Sequence, residues 1–279
     1  MSNSQRSAQL NSAKLARITN SGEKIAMLTC YDATFAKLSH AAGVDILLVG
    51  DSLGMVLQGS ENTLNVLMTD MVYHTRCVAA GAPDAYIIAD MPYSSYESGA
   101  EFAYQNAKLL IDAGAHMVKL EGGGNMVEIV RSLVEQDIPV CAHLGFTPQS
   151  VGRLGGYRIQ GKTEESAQII LQDAIAMSDV GVSFVLLEMV PAALAKNITE
   201  IIDVPTIGIG AGVDCSGQVL VLQDLLGIYS GQAHKHPDEF KSPRFVRNFL
   251  KDTGSIQAAV AAFVQAVKNK EFPAAEHSY

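Results

Sequence analysis

Ile46-Leu47-Leu48-Val49-Gly50-Asp51-Ser52 is the stretch from which the fold of this chain can be inferred. Four consecutive apolar residues of this kind are typical of a parallel strand that is buried on both faces. A glycine, a carboxylate and a hydroxyl group follow the strand immediately. Because packing alone does not require a charge at the end of a buried strand, the stretch predicts a strand that leads into a chemical site.

The same pattern recurs along the chain with other polar endings. Between the apolar runs lie segments long enough for one helix each, and this alternation is typical of repeated βα units. Eight such units favour a closed (βα)8 TIM barrel over an open sheet, and the polar strand ends then meet at one rim. The predicted strands are residues 24–30, 46–49, 86–90, 117–121, 139–143, 184–188, 204–212 and 218–224.

Length and composition favour one domain over residues 1–279. The chain is 48% hydrophobic and contains no Pro/Ser-rich or charge-block linker, and a barrel of this kind needs about 250 residues. Residues 1–10 are predicted to be a flexible tail, and residues 11–18 a short N-terminal helix. Two long segments, residues 53–68 and the loop from Thr147 to Arg153, are predicted to be loops on the same rim. A C-terminal helical section is predicted for residues 243–268.

The charge and the cysteines limit the possible partners and compartment. The net charge is −9 and the basic residues are scattered, which argues against nucleic acid and anionic membranes and favours a small-molecule substrate. The N-terminus lacks the apolar core of a signal peptide, and no apolar run is long enough to span a membrane. The four cysteines include no CxxC pair, so we expect reduced thiols in a cytoplasmic protein.

Three carboxylates end neighbouring predicted strands: Asp51, Asp90 and Glu121. Oxygen ligands suit hard cations, and Mg²⁺ is commonly bound by one or two carboxylates while positions remain for substrate. Each acid alone could instead be a helix cap or half of a salt bridge. Three uncompensated acids at one barrel mouth repel each other, however, so together they favour a metal site.

Two further ionisable residues follow buried runs. Lys119 has three interpretations: an ion pair with Glu121, a cation for a substrate carboxylate, or a Schiff-base lysine. Glu188 follows the apolar run 184–187, so partial burial would raise its pKa toward the range of a general base, with a structural role as the alternative. His143 could bind metal, donate to substrate or satisfy a carbonyl. Tyr31, at the end of the first strand, also lies where a site would be built.

Two other motifs are weaker. His234-Lys235-His236 has the spacing of two zinc ligands, but it lies in a charged loop, which favours a solvated turn. Gly208-Ile209-Gly210-Ala211-Gly212 does not have the GxGxxG spacing of a dinucleotide loop. We interpret it as a tight loop that contacts phosphate or the edge of a substrate.

Six ordered motifs together are similar to those of the ketopantoate hydroxymethyltransferase family. They extend over most of the chain, from about residue 24 to 268, and their combination is far more specific than any one of them. Three departures lie outside the predicted site: Asn65 where proline is common, the turn at 213–215, and an apparent insertion at 234–239. The motifs are GDSLGM (50–55), TDMVYHT (69–75), ADMPY (89–93), VKLEGG (118–123), HLGFTPQ (143–149) and GIGAG (208–212).

The resemblance implies a TIM barrel of the phosphoenolpyruvate/pyruvate class, magnesium dependence, and a cytoplasmic homo-oligomer, typically a decamer. It also implies transfer of a one-carbon unit from 5,10-methylenetetrahydrofolate to 3-methyl-2-oxobutanoate, giving 2-dehydropantoate. By this resemblance Glu188 is the proton acceptor. The metal would be bound by Asp51, Asp90 and Glu121, and the oxoacid by Asp51, Ser52, Asp90 and Lys119, while His143 and Tyr31 are candidates for a supporting role. No motif indicates which residues bind the folate.

Two other classes of function remain alternatives at this point. Lyases and mutases of the same barrel class typically have a catalytic cysteine in a lysine-rich loop, and here Gly122-Gly123-Gly124-Asn125 follows the fourth strand instead. A non-catalytic binding protein would not need five ionisable strand ends. Both alternatives are therefore less favoured than the transferase.

Overall fold

Eight parallel strands form a closed barrel in the order β1-β2-β3-β4-β5-β6-β7-β8, as predicted. The computed structural model describes residues 16, 17, 19–231 and 242–279. Every strand is almost completely buried, which explains the near-continuous apolar runs in the sequence. The strands are β1 (Ile25–Thr29), β2 (Ile46–Val49), β3 (Tyr86–Asp90), β4 (Met117–Glu121), β5 (Val140–Gly145), β6 (Phe184–Glu188), β7 (Thr206–Ile209) and β8 (Gly217–Leu220).

Helices connect the strands and pack around the barrel. One begins at a capped residue, because the Thr163 side chain accepts a hydrogen bond from the Ser166 backbone and caps the helix that follows. The helices within the described residues are α1 (Ala33–Ala41), α2 (Leu53–Val56), α3 (Met68–Gly81), α4 (Ala100–Asp112), α5 (Met126–Glu135), α6 (Glu164–Asp179), α7 (Ala192–Ile201), α8 (Leu222–Leu225) and α9 (Ile256–Lys268).

Strand closure depends on a close approach between β1 and β8. Ile25 is paired with Gly217 in the parallel register, and a Cβ atom at Gly217 would lie 2.6 Å from the carbonyl oxygen of Ile25. Since real Cβ atoms do not approach a carbonyl so closely, only glycine fits at this position. The first and last strands therefore meet without displacing either backbone, and the carboxyl ends of all eight strands face one rim.

Four predicted elements were wrong in their extent. The seventh strand is Thr206–Ile209 and not residues 204–212, because Gly210 and Gly212 adopt positive φ and the chain leaves the extended conformation there. The eighth strand ends at Leu220 rather than at residue 224, because the backbone N–H of Leu222 donates to the Thr29 hydroxyl at 2.9 Å and the chain turns into α8. The segment 53–68 is not entirely a loop, since α2 begins at Leu53. Gly54 does not break this helix; it allows close packing, because a Cβ atom there would lie 2.7 Å from the Val66 side chain.

The fourth correction concerns the C-terminal section, where only Ile256–Lys268 is a longer helix and residues 242–255 are mostly turns. The predicted tail at residues 1–10, most of the predicted helix at 11–18 and the HxH motif at 234–236 lie outside the described residues. Within the described ranges, no helix has the length and apolarity that crossing a membrane requires. All four cysteines are free, which agrees with the expected reduced thiols.

Candidate active site at the carboxyl ends of the strands

A large cavity opens at the rim where the strands end. Its volume is about 550 Å³, and seven residues predicted from the sequence line it together: Asp51, Ser52, Asp90, Lys119, Glu121, His143 and Glu188. Tyr31 lies just behind this wall. The barrel therefore brings together side chains that are far apart in the chain, from Asp51 to Glu188. Parallel strands with a common carboxyl edge have this effect.

Strand register explains which of these side chains touch. Asp90 on β3 is paired with Lys119 on β4, and the Lys119 ammonium lies 3.1 Å from Asp90 Oδ2. Two residues further along β4, Glu121 is paired with His143 on β5, with 3.3 Å between Glu121 Oε1 and His143 Nδ1. Because side chains two residues apart on a strand share a face, all four face the barrel interior.

Lys119 is the only cation among these acids in the described part of the cavity lining. Burial alone would lower its pKa, but the carboxylates of Asp90, Glu121 and Asp51 outweigh burial and hold the pKa of Lys119 above its usual range. The side chain is therefore a charged ammonium group, paired with Asp90. A Schiff-base lysine must lose that proton to attack a carbonyl, so the geometry disfavours this one of the three interpretations.

The three acids at the strand ends lie close enough to affect one another's charge. The backbone N–H of Asp51 donates to Asp90 Oδ2 at 3.0 Å. Burial, followed by the charge of Asp90 and Glu121, raises the pKa of Asp51 well above its usual range. Burial also raises the pKa of Glu121 to about 7, although Lys119 partly offsets it. One ammonium group does not balance three buried carboxylates, and protonation is the alternative when no further cation is present.

Two buried carboxylate oxygens are free to accept a cation. Asp90 Oδ1 and Glu121 Oε1 are buried and accept no hydrogen bond from any described residue, although His143 Nδ1 lies 3.3 Å and the Lys119 ammonium 3.9 Å from the latter. Buried polar atoms without a partner are rare and costly, so each one calls for an explanation. Oxygen donors of this kind suit Mg²⁺.

The acids are not already arranged around a metal ion. Within the described residues, no group of three His, Cys, Asp or Glu side chains could hold one as they stand. Asp90 is paired with Lys119, while Asp51 Oδ2 and Glu121 Oε2 accept hydrogen bonds from Gln149. A metal site is still consistent with the oxygen donors and with the unpartnered carboxylate oxygens. The terminal torsion of a carboxylate is broad, so these side chains can turn toward a metal ion at little cost.

Glu188 lies at the carboxyl end of β6 and reaches the same cavity. Its Oε2 lies 3.3 Å from His143 Nε2, while its side chain remains 14% exposed, which leaves it open to a ligand. Burial raises the pKa of Glu188, and His143 offsets part of that effect. Burial lowers the pKa of His143, and the charge of Lys119 lowers it further. A neutral His143 beside a carboxylate of raised pKa is an arrangement suited to general base chemistry.

Tyr31, a candidate for a supporting role in the sequence, contacts Ser52. The Tyr31 hydroxyl and the Ser52 hydroxyl lie 2.9 Å apart, and burial raises the pKa of Tyr31 above its usual range, so the phenol stays neutral. His74 on α3 contacts the Tyr31 carbonyl oxygen at 2.7 Å. These contacts fix the orientation of Ser52 at the edge of the cavity.

Sequence reasoning missed the residue that joins two of the acids. The backbone N–H of Gln149 donates to Glu121 Oε2 at 2.9 Å, and its side-chain Nε2 donates to Asp51 Oδ2 at 2.8 Å. The Tyr96 hydroxyl in turn donates to Gln149 Oε1 at 2.5 Å. The one available signal was its position in the long loop after β5, which does not specify a partner.

The sequence was compared with known proteins and families. The profile of a family described as ketopantoate hydroxymethyltransferase matches residues 9–275. A 3-methyl-2-oxobutanoate hydroxymethyltransferase of Methylobacillus flagellatus is 55% identical over 270 residues, covering 97% of this chain and 100% of the relative. A protein of the same name from Chromobacterium violaceum is 56% identical over 265 residues, covering 95% and 97%.

The fold is also similar to solved structures of low sequence identity. A 2,3-dimethylmalate lyase, described as a member of the PEP mutase/isocitrate lyase superfamily, matches with a TM-score of 0.53 and 18% identity over 71% of each chain. A phosphonopyruvate hydrolase, crystallised with oxalate and Mg²⁺, matches with a TM-score of 0.58 and 14% identity over 76% of this chain and 80% of the other. At such identities the similarity establishes the barrel class alone.

Proposed function

The chain belongs to the ketopantoate hydroxymethyltransferase family, and from this premise we propose that it transfers a hydroxymethyl group from 5,10-methylenetetrahydrofolate to 3-methyl-2-oxobutanoate, giving 2-dehydropantoate. The main observation in support is that Asp51, Asp90 and Glu121 meet in one cavity with Lys119 and Glu188. Such a site offers oxygen ligands for a cation, a cation for a carboxylate, and a base, which are the three groups that this reaction requires.

Asp51, Asp90 and Glu121 would bind a divalent metal ion, for which we propose Mg²⁺. The unpartnered oxygens of Asp90 and Glu121 and the raised pKa of Asp51 support a cation at this position. When bound, such an ion polarises the keto group of a 2-oxoacid and stabilises the negative charge that develops when the adjacent carbon loses a proton.

Lys119 and Ser52 would hold the substrate in place. The Lys119 ammonium lies at the base of the cavity, and a substrate carboxylate can accept from it as Asp90 does at 3.1 Å. The Ser52 hydroxyl, oriented by Tyr31, supplies a second contact. Fixing the carboxylate at two points keeps C3 of the oxoacid in a constant position relative to the base.

Glu188 would remove the proton from C3. Its carboxylate is partly buried but reachable from the cavity, and its contact with His143 Nε2 at 3.3 Å limits its rotation. The carbon atom that has lost its proton then bonds to the methylene group supplied by the folate. Both bonds between the methylene carbon and the folate nitrogen atoms break in the process. A water molecule provides the hydroxyl oxygen, and the folate nitrogen atoms take up the released protons as tetrahydrofolate leaves.

The reaction is tested with the purified protein, 3-methyl-2-oxobutanoate and 5,10-methylenetetrahydrofolate. We expect 2-dehydropantoate to form, EDTA to abolish its formation, and added Mg²⁺ to restore it. Borohydride in the presence of the oxoacid should leave the protein mass unchanged, because Lys119 forms no Schiff base. Undiminished turnover in EDTA together with trapping of the oxoacid on Lys119 would refute the metal mechanism.

Replacing Gln149 with leucine is expected to weaken Mg²⁺ binding by about 10- to 100-fold, the range typical for loss of a group that orients metal ligands. The change removes the donor to Asp51 Oδ2 but keeps the backbone N–H that binds Glu121. Isothermal titration with Mg²⁺ measures the effect directly. Gln136, an exposed helix-end residue whose side chain donates to Ser132 among the described residues, provides the matched control, and equal affinities of Gln149→Leu and Gln136→Leu would contradict the expected role.

A further inference from the structure

The cavity is larger than the proposed oxoacid site requires. Its volume of about 550 Å³ falls within the range of about 300–1,000 Å³ typical of sites for drug-sized ligands, whereas 3-methyl-2-oxobutanoate has only five carbon atoms. The metal ligands and Glu188 follow β2, β3, β4 and β6. The part of the lining that follows β8 has no function in the steps described above.

Asp224 is the ionisable residue in that unused part. It lies on α8, which is anchored to the barrel by the hydrogen bond from Leu222 N–H to the Thr29 hydroxyl at 2.9 Å. No hydrogen bond or ion pair joins its carboxylate to another residue in the part of the chain that the structure describes. Asp224 is half-buried at the cavity wall, and burial raises its pKa to about 7. Its carboxylate therefore faces the cavity without a compensating group among the described residues.

Aromatic side chains line the same part of the cavity. Tyr157 comes from the long loop after β5 and Tyr229 from the segment after α8, and both line the cavity with Asp224. The Tyr157 hydroxyl is within electrostatic range of both Glu188 and Tyr229, so this aromatic wall connects the proposed base with the Asp224 side of the mouth. Flat aromatic ligands pack favourably against such rings.

We propose that Asp224 binds the pterin ring of the folate co-substrate by accepting hydrogen bonds from the ring N3–H and from the 2-amino group. These two donors lie side by side on one edge of the ring, and a carboxylate offers two acceptor oxygens at matching separation. Binding at this position fills the unused part of the cavity and directs the one-carbon group toward Glu188. Glu61, another acid in the lining, is exposed on a loop and remains solvated, so it lacks the desolvation that makes Asp224 a strong acceptor.

This inference rests on the proposed function, and the two can be tested apart. Exchange of the C3 proton of 3-methyl-2-oxobutanoate in deuterium oxide requires the metal, the oxoacid and the base but no folate, and NMR measures it. Binding of tetrahydrofolate to the Mg²⁺-loaded enzyme is measured separately by calorimetry. The variant is Asp224→Asn, which keeps the side-chain size but replaces one acceptor with a donor. Asp252→Asn, the same change at an exposed position, is the control.

Asp224→Asn is expected to weaken tetrahydrofolate binding by about 100-fold, since a paired set of charge-assisted hydrogen bonds is lost. Its C3 proton exchange should equal that of the wild type, which also shows that the variant is folded. 6-Methyltetrahydropterin, which lacks the aminobenzoyl-glutamate tail, should lose affinity by the same factor.

Three results would overturn the assignment of Asp224. Unchanged tetrahydrofolate affinity would show that the carboxylate does not contact the ligand. Loss of C3 exchange would show that Asp224 acts on the oxoacid half of the reaction. A loss seen with tetrahydrofolate but not with 6-methyltetrahydropterin would place the contact on the tail. In contrast, a wild-type protein that binds tetrahydrofolate but exchanges no C3 proton would contradict the proposed function and leave the Asp224 contact intact.

Discussion

Replacing Glu188 with glutamine is expected to slow C3 proton exchange of 3-methyl-2-oxobutanoate by about 10³-fold, because a positioned general base typically contributes 10²–10⁴-fold. The amide has nearly the same shape as the carboxylate and can still contact His143, which lies 3.3 Å from Glu188. Unlike the carboxylate, however, it cannot act as a base toward the C3 proton. Formation of 2-dehydropantoate should fall by a similar factor, since proton removal precedes formation of the new carbon–carbon bond.

Binding distinguishes this loss from a general failure of the site. Mg²⁺-dependent binding of the oxoacid, measured by calorimetry, should be retained in Glu188→Gln, because Glu188 is not among the proposed metal or carboxylate contacts. Glu135→Gln, at the exposed end of α5, is a control for the substitution itself. Normal proton exchange in Glu188→Gln would exclude Glu188 as the base.

The pH dependence of the exchange follows from the same assignment. Glu188 acts in its carboxylate form, and burial raises its pKa above the ordinary value of 4.5. The rate of exchange is therefore expected to rise with pH as Glu188 loses its proton, with a midpoint above 4.5, and to level off at higher pH. The residual rate of Glu188→Gln should lack this rise; the same rise in the variant would assign the titration to another group.

Replacing Asp90 with asparagine is expected to weaken Mg²⁺ binding by at least about 100-fold and to lower the free energy of unfolding by about 3 kcal/mol. The first effect arises because one of three carboxylates loses its charge. The second arises because the Lys119 ammonium, buried 3.1 Å from Asp90 Oδ2, loses its nearest partner, and breaking a buried ion pair typically costs about 3–5 kcal/mol. We expect the lower end, since Glu121 remains 3.9 Å from the ammonium.

Calorimetric titration with Mg²⁺ and denaturant unfolding measure the two effects of Asp90→Asn. An exposed pair provides a matched control: Lys108 and Asp112 lie 2.6 Å apart on one face of α4, and Asp112→Asn should leave both measurements nearly unchanged, because solvent screens such pairs. An unaltered Mg²⁺ titration in Asp90→Asn would remove Asp90 from the metal site.

Strand positions and strand ends were predicted from the sequence where burial is complete. The run 46–49 and those ending at Asp90, Glu121 and Glu188 match observed strands, because full burial on both faces requires an apolar stretch of about this length. The eighth strand was predicted to end at residue 224, but it ends at Leu220. Its apolar residues continue into α8, and periodicity alone does not separate a short buried strand from a short buried helix.

The identity of the site residues was visible in the sequence, but their contacts were not. An ion pair with Glu121 was one of three interpretations of Lys119, whereas the shorter contact of Lys119 is with Asp90 on the neighbouring strand. Gln149 lies in a loop, and Asp224 ends the range predicted for the eighth strand but lies on α8. Neither was identified as a site residue, because the partners of the first and the cavity around the second are determined by segments distant in the chain.

The sequence by itself determined that eight buried strands deliver acids, a lysine and a histidine to one rim, because apolar runs with polar endings are a local property of the chain. Only the tertiary structure decided which of these groups face one another, which oxygens stay without a partner, and how much cavity remains beyond the metal ligands. These depend on strand register, barrel closure and loop packing, which join residues far apart in the chain and leave no periodic signal within it.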